Sequence, residues 1–203
     1  MRHLLLVVLM AVAVAGPGSA APLPTDQALA ERSLGRDEAP VLLIEYSSMT
    51  CPHCAEFHAG VLAEIKSAAI DTGKVRYVYR DFPLEQRAMA AAMVARCVDP
   101  ARYFGFVDIL FRDQQTWAKS KDVLGELQVR AALAGLSTAD FNACLNNRAL
   151  MDGIQKRAME GEQQYGIQST PSFIINGKKF EGPRTAQGFL AAIDAAAAAT
   201  KKP

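Results

Sequence analysis

The stretch SSMTCPHCAEFH, Ser47 to His58, holds two of the chain's four cysteines and two of its three histidines. Its second half predicts a helix. Pro52 suits the first helical position, and Phe57, Val61, Leu62 and Ile65 recur at helical spacing as far as a stop near Asp71-Thr72-Gly73. Just upstream, VLLIEYSS (Val41 to Ser48) is β-branched and apolar and predicts a buried strand, broken by a single acid, Glu45. Just downstream, KVRYVYRDF (Lys74 to Phe82) alternates β-branched and aromatic residues with charge, which predicts a second strand. Strand, helix and returning strand make a right-handed βαβ unit. Cys51 then lies past the C-terminal end of a strand and at a helix N-terminus, where open α/β sheets place their chemistry.

Further out the text changes. From about Leu84 to Tyr165 it is rich in Ala, Leu, Gln and Arg. Helices are predicted over 84–98, 101–112, 122–134, 138–146 and 148–165, with breaks at Asp99-Pro100 and Gly135-Leu136-Ser137. Ser137 or Thr138 fits an N-cap, with Asp140 in the first turn. Strand signal returns at Ser172 to Phe180, where Asn176-Gly177 marks a tight hairpin. An Ala-rich helix closes the chain from about Thr185. The order β-α-β, helical block, β-β-α predicts an α/β fold in which residues 41–83 and 166–203 form one discontinuous unit. Residues 84–165 form an inserted all-helical domain. No internal repeat is visible.

At the amino end, Arg2, the apolar run Leu4 to Val14 and the small residues Gly18-Ser19-Ala20 have the layout of a secretory signal peptide over residues 1–20. The run is too short to span a bilayer, and Gly16-Pro17-Gly18 breaks it. Residues 21–40, rich in Pro, Ala and charge, read as an extended lead-in. Removal of residues 1–20 leaves 21 basic against 21 acidic side chains, a balance that argues against nucleic acid or an anionic membrane as the main partner. With half its residues apolar, the chain has enough material for a sizeable core. An exported chain meets oxidising conditions, where disulfides form and persist.

At a helix start, the sulfur of Cys51 would lie near the free N–H groups and positive dipole end, and both favour thiolate. His53, between the cysteines, can add a hydrogen bond or a charge. Such cysteines titrate at about 3.5–7.5 instead of ~8.5. A stabilised thiolate leaves a disulfide that is readily given away. Two other readings stay open: a structural disulfide, and a zinc site built from Cys51, Cys54 and His58 that lacks a fourth ligand. Otherwise His58 reads as a surface or partly packed helix residue without a functional role.

Four anchors, Glu45, Cys51-Pro52-His53-Cys54, Ser169-Thr170-Pro171-Ser172 and Asn176-Gly177-Lys178, resemble the DsbA family of exported thiol–disulfide oxidoreductases. The resemblance implies a thioredoxin fold with an inserted helical domain. It implies a cis Thr170–Pro171 bond facing the cysteines and available to a substrate strand. It makes Cys51 the attacking cysteine and Cys54 the buried resolving one, and makes Glu45 a buried acid that moves the proton of Cys54. The family's basic partner for that acid lies on the second strand, but Arg76-Tyr77-Val78-Tyr79-Arg80 has no lysine in its middle. The activity implied is a periplasmic oxidase acting on reduced or unfolded exported proteins, without cofactor or resident metal, as a monomer. A quinone-linked membrane partner resembling DsbB would reoxidise it. A reductase or isomerase of the same fold is the alternative within the family; a chaperone-like or zinc-binding module is the alternative outside it. Cys97 and Cys144 are expected to pair in a structural disulfide, the other outcome being two buried free thiols.

Overall fold

A computed structural model of the chain describes residues 23–200, so the expected signal peptide of residues 1–20 lies outside the described residues. The lead-in is more than a tether. It folds into a short helix, α1 (Thr25–Ala28), and an edge strand, β1 (Arg32–Leu34), ahead of β2 (Val41–Ser47). β2 is buried along almost its whole length, as a strand covered on both faces must be. The helix of the Cys51–Cys54 stretch begins as α2 (Pro52–Glu56), widens to a π-helical stretch at Phe57–Val61, returns to α-geometry in α3 (Leu62–Ile65), and widens again over Lys66–Ile70. The first widened stretch buries two successive residues, Phe57 and His58. β3 (Val75–Asp81) follows and pairs in parallel with β2, with Glu45 opposite Tyr79 and Ser47 opposite Asp81.

The inserted block comprises α4 (Gln86–Cys97), α5 (Tyr103–Arg112), α6 (Gln114–Trp117), α7 (Val123–Leu133), α8 (Thr138–Leu145) and α9 (Arg148–Tyr165). Side-chain caps start several of them. Glu85 accepts from Arg87 N–H and Ala88 N–H, Ser137 from Asp140 N–H, and Asn147 from Leu150 N–H. Gly166, with φ of 62°, ends α9 in the left-handed conformation that glycine adopts without penalty. The chain then returns through β4 (Ser172–Ile175) and β5 (Lys178–Lys179) to α10 (Ala186–Thr200).

The five strands run in the order β1-β3-β2-β4-β5, with only β2 and β3 parallel. The turn between β4 and β5 has positive φ at both Asn176 and Gly177, the geometry that an Asn-Gly hairpin supplies. Asn176 also staples this hairpin to β2: its Oδ1 accepts from Leu42 N–H at 2.7 Å. The main core lies on the Leu43–Glu45–Ser47 face of the sheet, where the α2–α3 helix, α5 and α10 meet. A smaller core on the other face gathers Ile44, Tyr46, Val78, Ile167 and Ile174.

One tie fixes the inserted block to this frame, and a second braces the block itself. Buried Arg96 on α4 donates to Asp81 at 2.6 Å and to the Ala30 carbonyl at 2.8 Å, joining β3, the block and the lead-in. Cys97 on α4 and Cys144 on α8 form a disulfide with Cα atoms 6.2 Å apart. Among the described residues, no helix is long and apolar enough to cross a membrane.

Candidate active site

β2 delivers the chain at its C-terminal end to Cys51, which takes an extended conformation (φ −77°, ψ 119°) as the N-cap of α2, with Pro52 following. The two cysteines are present as free thiols with different surroundings. Cys51 retains 8% exposure and Cys54 none. The outer sulfur is therefore the one a second molecule can reach. Hydrogen bonds stabilise its anion, first that from the Cys54 thiol, then those with Thr170 and with the backbone N–H groups of Cys54 and His53. Together they bring the Cys51 pKa down to about 5 against the opposing effect of burial. Cys54 is driven the other way. Burial raises its pKa, and the neighbouring Cys51 and the charge of Glu45 raise it further.

The loop before β4 closes the site. Thr170–Pro171 is a cis peptide bond, and the Cys51 thiol donates to the Thr170 carbonyl at 3.3 Å across 119 residues of sequence. The hydroxyl of Thr170 is buried and has no hydrogen-bond partner among the described residues. Sequence reasoning did not anticipate Gln114. From α6, its buried amide donates to both the Met49 and Cys51 carbonyls at 2.9 Å, fixing the turn that carries Cys51. Nothing in the local text marks that glutamine; its role exists only because α6 comes back over the active-site turn.

His53 points outward. Its Nδ1 lies 3.0 Å from Glu56 Oε2, the ring is 74% exposed, and the carboxylate of Glu56 raises its pKa, with a smaller contribution from Cys51. The ring thus acts on Cys51 as a nearby charge, and the direct hydrogen bond to the sulfur comes from the His53 backbone.

Glu45 is fully buried beneath the pair. Its Oε2 accepts a short hydrogen bond of 2.5 Å from the Tyr77 hydroxyl and lies 3.1 Å from His58 Nε2. Its Oε1 is buried with no hydrogen-bond partner among the described residues. The basic group facing this acid is therefore not on β3, where the family resemblance would put it, but on the catalytic helix. His58 is packed against Phe111 at 4.3 Å between ring centres, with Phe57 and Tyr79 each at 5.8 Å. The signal that could have found it was the four-residue spacing from Cys54. If Cys54 faces the sheet, His58 faces it too, toward the only acid on β2. Among the described residues no three His, Cys, Asp or Glu side chains gather as a metal-ligand set.

Two grooves flank the catalytic helix. One, of about 210 Å³, lies on the Pro171 side, lined by His53, Phe57, Pro171, Phe173 and Arg184 among others. The other, of about 510 Å³, opens between the helix and α5, lined by Glu56, His58, Asp108, Phe111 and Arg112 among others.

Residues 27–195 match the family model described as Thioredoxin. A Rickettsia typhi protein named for protein-disulfide oxidoreductase activity is 32% identical over 149 residues, which cover 73% of this chain and 55% of that one. Its Rickettsia conorii counterpart is 34% identical over 148 residues, covering 71% and 52%. The chain thus spans about half the length of these curated relatives. The crystal structure of α-DsbA1 from Wolbachia pipientis is 35% identical with a TM-score of 0.77, covering 88% of this chain and 94% of that one. BdbD from Bacillus subtilis, 22% identical with a TM-score of 0.75 over 83% of this chain and 93% of its own, shares the fold.

Proposed function

Because the chain belongs to the DsbA-like, thioredoxin-fold protein-disulfide oxidoreductases, we propose that it is an exported oxidase that donates a Cys51–Cys54 disulfide to folding proteins. One observation carries the reading: the two thiols are pushed in opposite directions, Cys51 toward thiolate and Cys54 toward thiol. In the oxidised protein, a substrate thiolate attacks the sulfur of Cys51. The Cys51–Cys54 bond breaks, its electron pair leaves with Cys54, and Cys54 takes up a proton. A second substrate thiolate then attacks the substrate sulfur of the mixed disulfide and expels Cys51. The substrate has lost two electrons and the protein has become the dithiol. Cys51 departs readily in the second step because a low-pKa thiol is the better leaving group. The Thr170 carbonyl, already bonded to the Cys51 sulfur, is placed to meet the backbone of an extended substrate.

Folding proteins that leave the cytoplasm as reduced chains are the substrate class this chemistry serves. A quinone-linked membrane oxidant is the class of partner that would restore the disulfide. The leader-like residues 1–20 support export to the periplasm. The test is direct. Oxidised protein mixed with a reduced, unfolded two-cysteine protein should yield oxidised substrate, and Cys51→Ala should abolish that. Cys54→Ala, which cannot form the disulfide, should also fail to oxidise substrate, while its Cys51 thiolate should capture a peptide whose single cysteine is offered as a mixed disulfide with an aromatic thiol, expelling that thiol. Undiminished oxidation by Cys51→Ala would contradict the assignment, as would a purified protein holding one equivalent of zinc on its cysteines.

A further inference from the structure

The oxidase reading requires a buried sulfur to gain and lose a proton, yet the face of Cys51 is the face a substrate covers. Cys54 has no exposure, and while a substrate occupies Cys51 and the Thr170 backbone, protons need another way in. The structure holds a row of groups leading elsewhere. Beneath Cys54 is Glu45, whose charge already acts on that sulfur. One carboxylate oxygen, Oε1, is unpartnered among the described residues, and the other bonds Tyr77 and His58. His58 in turn lines the groove of about 510 Å³ between the catalytic helix and α5. That groove is on a different side from the one containing Pro171. Phe57, Tyr79 and Phe111 pack around the His58 ring, so the row has a buried end at Cys54 and an open end at the groove.

We propose that His58 is a positioning residue that passes protons between this groove and Glu45, and so governs how fast Cys54 leaves and re-forms the disulfide. The inference rests on the oxidase reading. When a substrate thiolate opens the bond, the Cys54 thiolate takes the proton of the Glu45 carboxyl through Oε1. The Glu45 carboxylate then takes a proton from the His58 imidazolium through Oε2, and neutral His58 is reprotonated by water in the groove. On reoxidation each transfer reverses. A relay of this kind suits a histidine because an imidazole exchanges protons near neutral pH, which a lysine on β3 would not do unaided. The groups facing His58 are Glu45 from β2, Tyr77 and Tyr79 from β3, and Asp108 and Arg112 from α5 across the groove; Cys54 and Glu56 lie on its own helix.

His58→Gln keeps a donor for Glu45 Oε2 but cannot carry a proton. In rapid mixing of the full-length oxidised protein with a reduced two-cysteine peptide, scored by acid quench and alkylation, wild type should show a rate that titrates within about pH 5 to 8. His58→Gln should be slower by about a hundredfold, the lower range for a positioned acid–base group, and should lose that titration. Its Cys51 thiolate absorbance curve should stay unchanged, which separates the relay from damage to the nucleophile. A second measurement needs no variant: in NMR titrations of wild type, His58 should have different midpoints in the oxidised and reduced proteins. A His58→Gln rate profile matching wild type, or identical His58 midpoints in the two forms, would overturn the relay while leaving the oxidase intact. Wild type that oxidises no peptide at any pH would overturn both.

Discussion

Cys51 and Cys54 differ in pKa because one hydrogen-bonds from the rim and the other is sealed under it, and this difference has a thermodynamic consequence. In the reduced protein the Cys51 pKa falls from its ordinary 9.0 to about 5 on folding. Below pH 5 both folded and unfolded states hold the proton, and Cys51 contributes nothing to stability. Between about pH 5 and 9 only the unfolded state holds it, so stability rises with pH and is complete above 9. Cys54, shifted upward, acts in the opposite sense only above its ordinary value. The oxidised protein has neither thiol. Denaturant unfolding of both forms should therefore show the reduced form gaining on the oxidised form by a few kcal/mol from about pH 5 to 8. A gap that does not move with pH would contradict the Cys51 assignment. At this scale the sequence was informative where chemistry is local. The spacing of Cys51 and Cys54 and the helix-start proline announce the pair without any tertiary knowledge. The burial of His58 against Glu45 was not foreseen because its partner is not on its helix: 13 residues separate the two, and only the βαβ turn brings them together. Gln114, 63 residues from Cys51, was beyond any local reading.

Among the elements, those long enough to show a period were legible. The strand over Val41–Ser47 and the helix over Arg148–Tyr165 emerge where their apolar patterns and caps put them. β1 and α6, three and four residues long, were not foreseen, because such pieces take their conformation from neighbours. β1 exists by pairing with β3, and α6 by seating Gln114 on the active-site turn. α9 shows how closely one element fits another. Buried Gly161 lies against the Tyr46 ring, and a Cβ there would enter the ring's van der Waals envelope. Alanine would add about 0.5–1 kcal/mol of helix propensity, but the buried overlap costs about 1–3 kcal/mol. Gly161→Ala should therefore lower the thermal midpoint of unfolding. A midpoint equal to or above wild type would show that α9 can move away from the sheet.

Across the whole molecule, a redox unit of sheet and catalytic helix is held under a helical block by a small number of strong ties. The Cys97–Cys144 disulfide joins α4 to α8 within that block, and Arg96 anchors α4 to Asp81 beneath. Neither cysteine belongs to the buried cluster that contains Cys51 and Cys54. Because the bridge closes a long loop, with a sequence separation of 47, Cys97→Ala paired with Cys144→Ala should cost about 4 kcal/mol in equilibrium unfolding by the chain-entropy relation. Oxidation of a peptide under conditions where the variant stays folded should hardly change. A large loss of turnover without loss of stability would mean that the second bridge communicates with the first.

The order β-α-β, helices, β-β-α was enough to foresee that fold, and the sequence also put Cys51 at the helix start, where the structure has it. The direction of electron flow is the central claim, and the reduction potential of Cys51–Cys54, equilibrated against glutathione, tests it most directly. A thiolate stabilised as Cys51 is here should place the couple well toward the oxidising end, nearer the about −120 mV of DsbA itself. A value near about −270 mV, that of a thioredoxin-like reductant, would contradict the oxidase account.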